Sequence, residues 1–210
     1  MESEIRIPWK RRWVNETNIT EDVSDSGLRR NDVEYEGRVF FKEGNELQDL
    51  SKIPFLLLFG SAGSGKTTSL EDLQHILADN VVLAFDLKVK SVKVVNEEIN
   101  LALKSDESNQ KGKITVLIDS LDEAMLTGDG KACRELGEYI CSYPKERINI
   151  RIGTRPHPFN PELISKIRDK HGGDSVQAFR LLPLSQNDVS LAAKSYSVDP
   201  DSFLKTLYKK

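Results

Sequence analysis

The sequence predicts an α/β chain whose parallel sheet is covered by helices on both faces. Three observations predict it. From Pro54 onward, short runs that are apolar throughout recur at strand length, as in Pro54–Phe59 and Ile114–Ile118. Stretches with apolar residues at helical spacing separate them. A glycine-rich turn, Gly60 to Thr67, joins the first of these strands to the first of these helices. Strands with no polar face are buried on both sides, and a parallel sheet between helix layers provides that burial.

Taken in order, Pro54–Phe59 is the first strand and Thr67–Leu77 the first helix. Val81–Phe85 is a second strand, Val94–Leu103 a helix and Lys104–Lys113 a polar loop. Ile114–Ile118 is a third strand, followed by a turn around Gly128-Asp129-Gly130 and a helix from Lys131 to Ser142 that stops before Pro144. Ile148–Gly153 is a fourth strand, and Pro161–Lys170 a helix with proline in its first turn. Val176–Leu182 is a fifth strand. Ser185-Gln186-Asn187-Asp188 has the form of a capping box and opens a helix to about Ser195, and Asp199-Pro200 starts another. Upstream, residues 1–50 form an approach segment with too little apolar material for a domain of its own.

The turn carries the clearest chemistry. Gly60-Ser61-Ala62-Gly63-Ser64-Gly65-Lys66-Thr67 matches the phosphate-binding pattern G-x-x-x-x-G-K-[ST] at every defined position. A buried strand delivers it to a helix N-terminus, where backbone N–H groups and the positive end of the helix dipole converge on an anion. Gly60 through Thr68 are therefore the expected nucleotide-binding residues. Lys66 reaches the outer phosphates, and the Thr67 hydroxyl is placed to hold Mg²⁺.

Two further strand ends carry charge. Ile114–Ile118 runs into Asp119, the form of a Walker B element, which puts Asp119 at the sheet's C-terminal edge as the second Mg²⁺ ligand. Ser120 and Leu121 follow, then Asp122-Glu123. One of these two carboxylates, Asp122 or Glu123, is the candidate to polarise the attacking water. The fourth strand ends in Gly153-Thr154-Arg155-Pro156. In a parallel sheet it should lie beside the phosphate-loop strand, so that Arg155 faces the γ-phosphate and neutralises charge developing there.

Composition bounds the rest. With 210 residues, a formal charge of −3, 38% hydrophobic and 30% charged residues, the chain fits one compact domain with an extra segment or two. No basic excess points to direct nucleic-acid binding. The one dense basic patch, Lys10-Arg11-Arg12 between Trp9 and Trp13, reads as a solvated tail whose tryptophans dock on the domain. No run approaches the roughly 20 apolar residues of a membrane span. The charged N-terminus shows no signal peptide, so a cytoplasmic protein is expected. Cys133 and Cys141 share one helix without metal spacing and read as thiols in a reducing compartment. None of His75, His157 and His171 has a site role.

Together, Gly60–Thr68, Leu117-Ile118-Asp119-Ser120-Leu121-Asp122-Glu123-Ala124 and Gly153-Thr154-Arg155-Pro156 closely resemble the NACHT-type ATPases of the STAND class. The Asp-small-apolar-Asp-Glu run is the distinctive part, and the resemblance covers about residues 35 to 200. It implies a five-stranded P-loop NTPase sheet of the additional-strand, AAA+-like type. The implied order is 2-3-1-4-5, with the phosphate-loop strand between the third and fourth. It also implies ATP and ADP as ligands, Mg²⁺ as cofactor, slow hydrolysis, and a nucleotide-controlled switch that self-associates when activated. The family serves animal innate immunity and bacterial antiphage defence, where a phage protein is the kind of trigger expected. The Leu182-Pro183-Leu184-Ser185 exit looks more like the bacterial branch.

On this reading residues 1–50 are the approach segment and 51–184 the NTPase domain. Residues 185–210 begin a helical subdomain that the chain cuts short, so an NTPase core fragment is expected. Pro183 follows the fifth strand too closely to serve as an adenine contact. Two other functions fit the motifs. One is a nucleotide-binding assembly module that does not turn over. The other is a P-loop kinase, which would need an arginine-rich lid and an acceptor pocket that the sequence does not reveal.

Overall fold

The computed structural model describes residues 11–15, 45–77, 81–106, 113–126, 131–156, 161–182, 184 and 186–207. Among them are six strands and seven helices. The chain divides into a unit of Leu47–Arg180 and a second unit that joins Met1–Glu46 to Leu181–Lys210. Strand β1, Trp13–Asn15, belongs to the latter.

The Leu47–Arg180 unit alternates strand with helix. After a 3-10 turn at Leu47–Leu50 come β2 (Phe55–Phe59), α1 (Lys66–Ile76), β3 (Val82–Asp86), α2 (Val92–Asp106), β4 (Ile114–Asp119) and α3 (Leu121–Leu126). Then follow α4 (Lys131–Ser142), β5 (Ile148–Thr154), α5 (Glu162–His171), a 3-10 turn at Gly173–Ser175, and β6 (Val176–Leu181), whose last residue enters the other unit. Every pairing among β2 to β6 is parallel, so all five C-terminal ends gather on one edge. The order is β6–β2–β5–β4–β3, with Leu57 opposite both Ile152 and Ala178, and Ile118 opposite both Ile152 and Phe85.

Alternation along the strands separates two cores. Phe55, Leu57, Phe59, Val116, Ile118, Ile150 and Ile152 point to one face, where they pack with Val95 and Ile99 of α2, Leu136 and Ile140 of α4, and Ile167 of α5. Leu56, Leu58 and Leu117 point the other way and are also buried, as are Leu70 and Leu73 of α1. The α/β class and the covering of both faces agree with the sequence.

The strand order does not. The expected order, 2-3-1-4-5, set the phosphate-loop strand between the third and fourth predicted strands. It lies instead between the fourth and fifth, and β5 separates it from β4. Its pairing with the fourth strand is as expected. The error has a physical source: strands that are all apolar carry no alternation to distinguish their neighbours. What distinguishes the places is degree of burial. Strands β2, β4 and β5 are buried almost throughout, whereas β3 and β6, at the ends of this parallel series, include several residues that are only partly buried.

Arg151 adds a tie that binds β5 to the entry of β2. Only 2% of this residue is exposed. Its guanidinium donates to the carbonyls of Leu50 (3.3 Å), Ile53 (2.9 Å), Pro54 (3.2 Å) and Ile150 (3.1 Å). Burial pulls it down to about 10 from its ordinary 12.5.

Two boundaries shift. Helix α2 runs on through Lys104, Ser105 and Asp106, which had read as loop, and α3 fills part of the interval expected to be only a turn. The turn at 128–130, most of the approach segment, Trp9, Lys10, His157 and Pro183 lie outside the described residues.

In the second unit, Trp13 and Asn45 exchange two backbone hydrogen bonds of 2.8 Å, and the Leu182 N–H donates to the Arg12 carbonyl at 2.9 Å. Arg12 pairs with Glu46 at 3.4 Å. Trp13 is fully buried. Helices α6 (Gln186–Ser195) and α7 (Pro200–Leu207) pack on each other.

Candidate nucleotide site

Strand β2 ends at Phe59, and the Gly60 N–H donates to the Thr154 carbonyl at 3.2 Å, so the loop leaves the sheet beside the end of β5. The chain then turns through Gly63 (φ 68°) and Gly65 (φ 94°), left-handed conformations in which a side chain would be strained. A Cβ on Gly60 would lie 2.6 Å from Ser64 Oγ and 2.8 Å from Lys66 Cγ, so the tight closure also depends on that glycine. Gly65 caps α1 with no side-chain hydrogen bond, which leaves the helix's first N–H groups turned to the loop.

Lys66 Nζ reaches back across the loop and donates to the carbonyls of Gly60 (2.6 Å) and Ser61 (3.0 Å). Partial burial lowers the Lys66 ammonium from its ordinary value, against the raising pull of Asp122 and then Asp119. Arg155 and Lys88 also act on it. Charges at the ends of three strands, β3, β4 and β5, thus act on one lysine. Ala62 and Thr68 stand exposed on the loop and the first turn of α1.

Thr67 Oγ1 donates to Asp119 Oδ2 at 2.5 Å. The other oxygen of Asp119 accepts the Ser120 N–H at 2.8 Å. These paired oxygens suit a hard cation such as Mg²⁺, which takes one or two protein donors and completes its shell with phosphate and water oxygens. Among the described residues, no cluster of three or more His, Cys, Asp or Glu could hold a metal.

Ser120 is buried and has φ 63°, the left-handed region. This bend ends β4 and starts α3, whose Glu123 and Ala124 N–H groups both donate to the Ser120 carbonyl. The two carboxylates that follow then part company. Asp122 is 5% exposed, and both its oxygens are engaged by Arg155. The Arg155 Nε lies 2.8 Å from Oδ2 and its backbone N–H 3.2 Å from Oδ1. Glu123 is more open, with Arg155 Nη2 at 3.7 Å and Lys88 Nζ at 3.1 Å from its Oε1.

The sequence reading missed Lys88. Its signal was available: in a parallel sheet, charged residues just past each strand's C-terminal end are candidates, and Lys88 lies two residues past β3. The bond to Glu123 raises the Lys88 ammonium above its ordinary value. A cavity of about 280 Å³ opens beside Thr67 and Asp119, with Leu70, Glu71, Phe85 and Asp86 also in its wall. Among the described residues, no helix is long and apolar enough to cross a membrane. No protein-family model matches the chain, and no curated protein matches it significantly.

Proposed function

We propose that this chain is the Mg²⁺-dependent, ATP-binding and ATP-hydrolysing core of a STAND-type switch. Lys66 and the N–H groups of the Gly60–Thr68 loop bind the phosphates, and Thr67 and Asp119 hold Mg²⁺. Glu123 orients the attacking water and accepts its proton, while Arg155 meets the charge that develops at the γ-phosphate. Mg²⁺, when bound, offsets charge on the β- and γ-phosphate oxygens.

One observation carries this reading: the Thr67–Asp119 hydrogen bond, which brings the loop's hydroxyl and the β4 carboxylate together from positions 52 residues apart. The parallel α/β sheet, with the loop strand's, acid strand's and arginine strand's C-terminal ends on one edge, supports a P-loop-like sheet, although its order is not the 2-3-1-4-5 expected. Of the two candidate bases, Glu123 is favoured because Asp122 already spends both oxygens on Arg155. The switch role, self-association on activation, a phage-derived trigger and bacterial antiphage defence rest on the motif resemblance, and a cytoplasmic site rests on composition.

Calorimetry with ATP in Mg²⁺ tests the core of the proposal. Wild type should bind, and Lys66→Ala should lose binding while staying folded, because the Lys66 ammonium bonds to loop carbonyls, those of Gly60 and Ser61. Equal affinity in the two proteins would overturn it. Single-turnover hydrolysis, compared with ATP-dependent light scattering, separates a turning-over switch from an assembly module that only binds.

A second reading, phosphoryl transfer to a small acceptor, gains one observation from the cavity that adjoins Thr67 and Asp119. Stoichiometric release of inorganic phosphate from ATP with no added acceptor favours hydrolysis.

A further inference from the structure

We propose that Gly153 is a positioning residue for Asp119, and that its missing side chain allows the metal-binding pair to form. The inference rests on the nucleotide reading and follows from the strand order. Thr67 opens the helix fed by β2, Asp119 ends β4, and β5 lies between these strands. Two strand spacings, about 10 Å, separate β2 from β4. To meet Thr67, the Asp119 carboxylate has to lean across β5 on the α1 face. At the crossing point stands Gly153.

The geometry there leaves no room for a side chain. A Cβ on Gly153 would lie 2.6 Å from Asp119 Oδ1 and 3.3 Å from Leu70 Cδ1. Leu70 is buried on α1, so the new carbon cannot move away from the carboxylate. The carboxylate must move instead. Asp119 holds its position through Oδ2 to Thr67 and Oδ1 to the Ser120 N–H, and a rotation away from residue 153 breaks that arrangement. Gly153 touches neither nucleotide nor metal. It acts through Asp119.

Gly153→Ala should therefore damage metal-dependent binding selectively. Calorimetry with ATP, in excess chelator and across a Mg²⁺ titration, reads the two contributions apart. The Mg²⁺ concentration giving half-maximal enhancement should rise by about tenfold or more, as for other residues that orient a metal ligand. Metal-free ATP affinity should stay within about twofold of wild type, because the loop is untouched. A parallel fall in both arms, or an unchanged Mg²⁺ dependence, overturns the proposal. A wild-type chain with no Mg²⁺-dependent binding overturns the nucleotide reading itself.

A thermal-stability cycle supplies a readout independent of ATP. Gly153→Ala should lower the melting temperature in the wild-type background and by much less in an Asp119→Ala background, where the clashing carboxylate is gone. Equal losses in both backgrounds would place the strain elsewhere and overturn the assignment. If Gly153→Ala alone does not fold, the Asp119→Ala/Gly153→Ala double variant must fold, and its failure to do so also overturns it.

Discussion

Arg155 grips Asp122 twice, through its side-chain Nε at 2.8 Å and its backbone N–H at 3.2 Å. One residue at the exit of β5 thereby fixes the first turn of α3. The same guanidinium extends Nη2 toward Glu123 at 3.7 Å. Two adjacent carboxylates consequently have different freedoms: Asp122 is a buried anchor, and Glu123 has an open side.

That difference predicts different kinetic defects. Glu123→Gln should leave ATP affinity nearly unchanged and slow single-turnover hydrolysis by roughly 10²–10⁴-fold, the range for losing a general base. Asp122→Asn keeps one oxygen acceptor for the Arg155 N–H but weakens the ion pair, so hydrolysis should fall less. Normal turnover in Glu123→Gln together with a dead Asp122→Asn would reverse the assignment.

Ser120 gives a stability test of the bend that presents both acids. Its φ of 63° is one that glycine adopts without strain. The position is buried, so a β-branched side chain has nowhere to relax. Ser120→Gly should be neutral or mildly stabilising, because relief of strain opposes the larger entropy of the unfolded glycine chain. Ser120→Val should cost about 1–3 kcal/mol in denaturant unfolding. Equal stability of the two variants would refute the bend argument.

These residues show what the sequence could and could not reveal. The conformation of the glycine-rich loop was legible because its pattern fixes the backbone, and Gly63 and Gly65 do take left-handed angles. Asp119, Asp122, Glu123 and Arg155 were legible because parallel strands deliver their C-terminal ends to one edge. The strand order was not, since Leu57 has apolar neighbours on both sides, Ile152 and Ala178, and no charge or polar pattern tells them apart. Nor were the different surroundings of Asp122 and Glu123, which depend on how a helix begun at Ser120 meets the end of another strand. Gly153 was passed over for the same reason, since it meets Asp119, a neighbour distant in sequence. Lys88 was within reach of the strand-end rule and was missed.

Alkaline pH should expose a buried thiol. Burial pushes Cys133 up to about 11 from its ordinary 9.0. Above about 9 the unfolded chain loses this proton while the folded chain keeps it. The unfolded state then binds fewer protons, so the contribution to stability falls as pH rises through the window from about 9 to about 11. Below that window both states keep the proton and the contribution is flat. Urea unfolding across this range should show a steeper decline in wild type than in Cys133→Ala. Part of the decline should survive in the variant, because burial also raises Tyr143. Identical slopes would contradict the assignment. Near neutral pH, iodoacetamide should label the half-buried Cys141 before Cys133.

Arg155 is the residue at which a structural role and the proposed catalytic role overlap, so its test needs two variants. In Arg155→Ala the Asp122 carboxylate stays buried without its cation, which lowers stability whatever the chemistry. If Arg155 also meets charge developing at the γ-phosphate, hydrolysis should fall by about 10²–10³-fold, as for loss of one preorganised donor. ADP affinity should change little, since ADP carries no γ-phosphate. Arg155→Ala/Asp122→Ala removes the stranded carboxylate along with the arginine. It should recover most of the lost melting temperature without recovering turnover. Recovery of both would reduce Arg155 to a structural partner of Asp122. Recovery of neither would mean that Asp122 is held by something other than Arg155, contrary to the two contacts that define the end of β5.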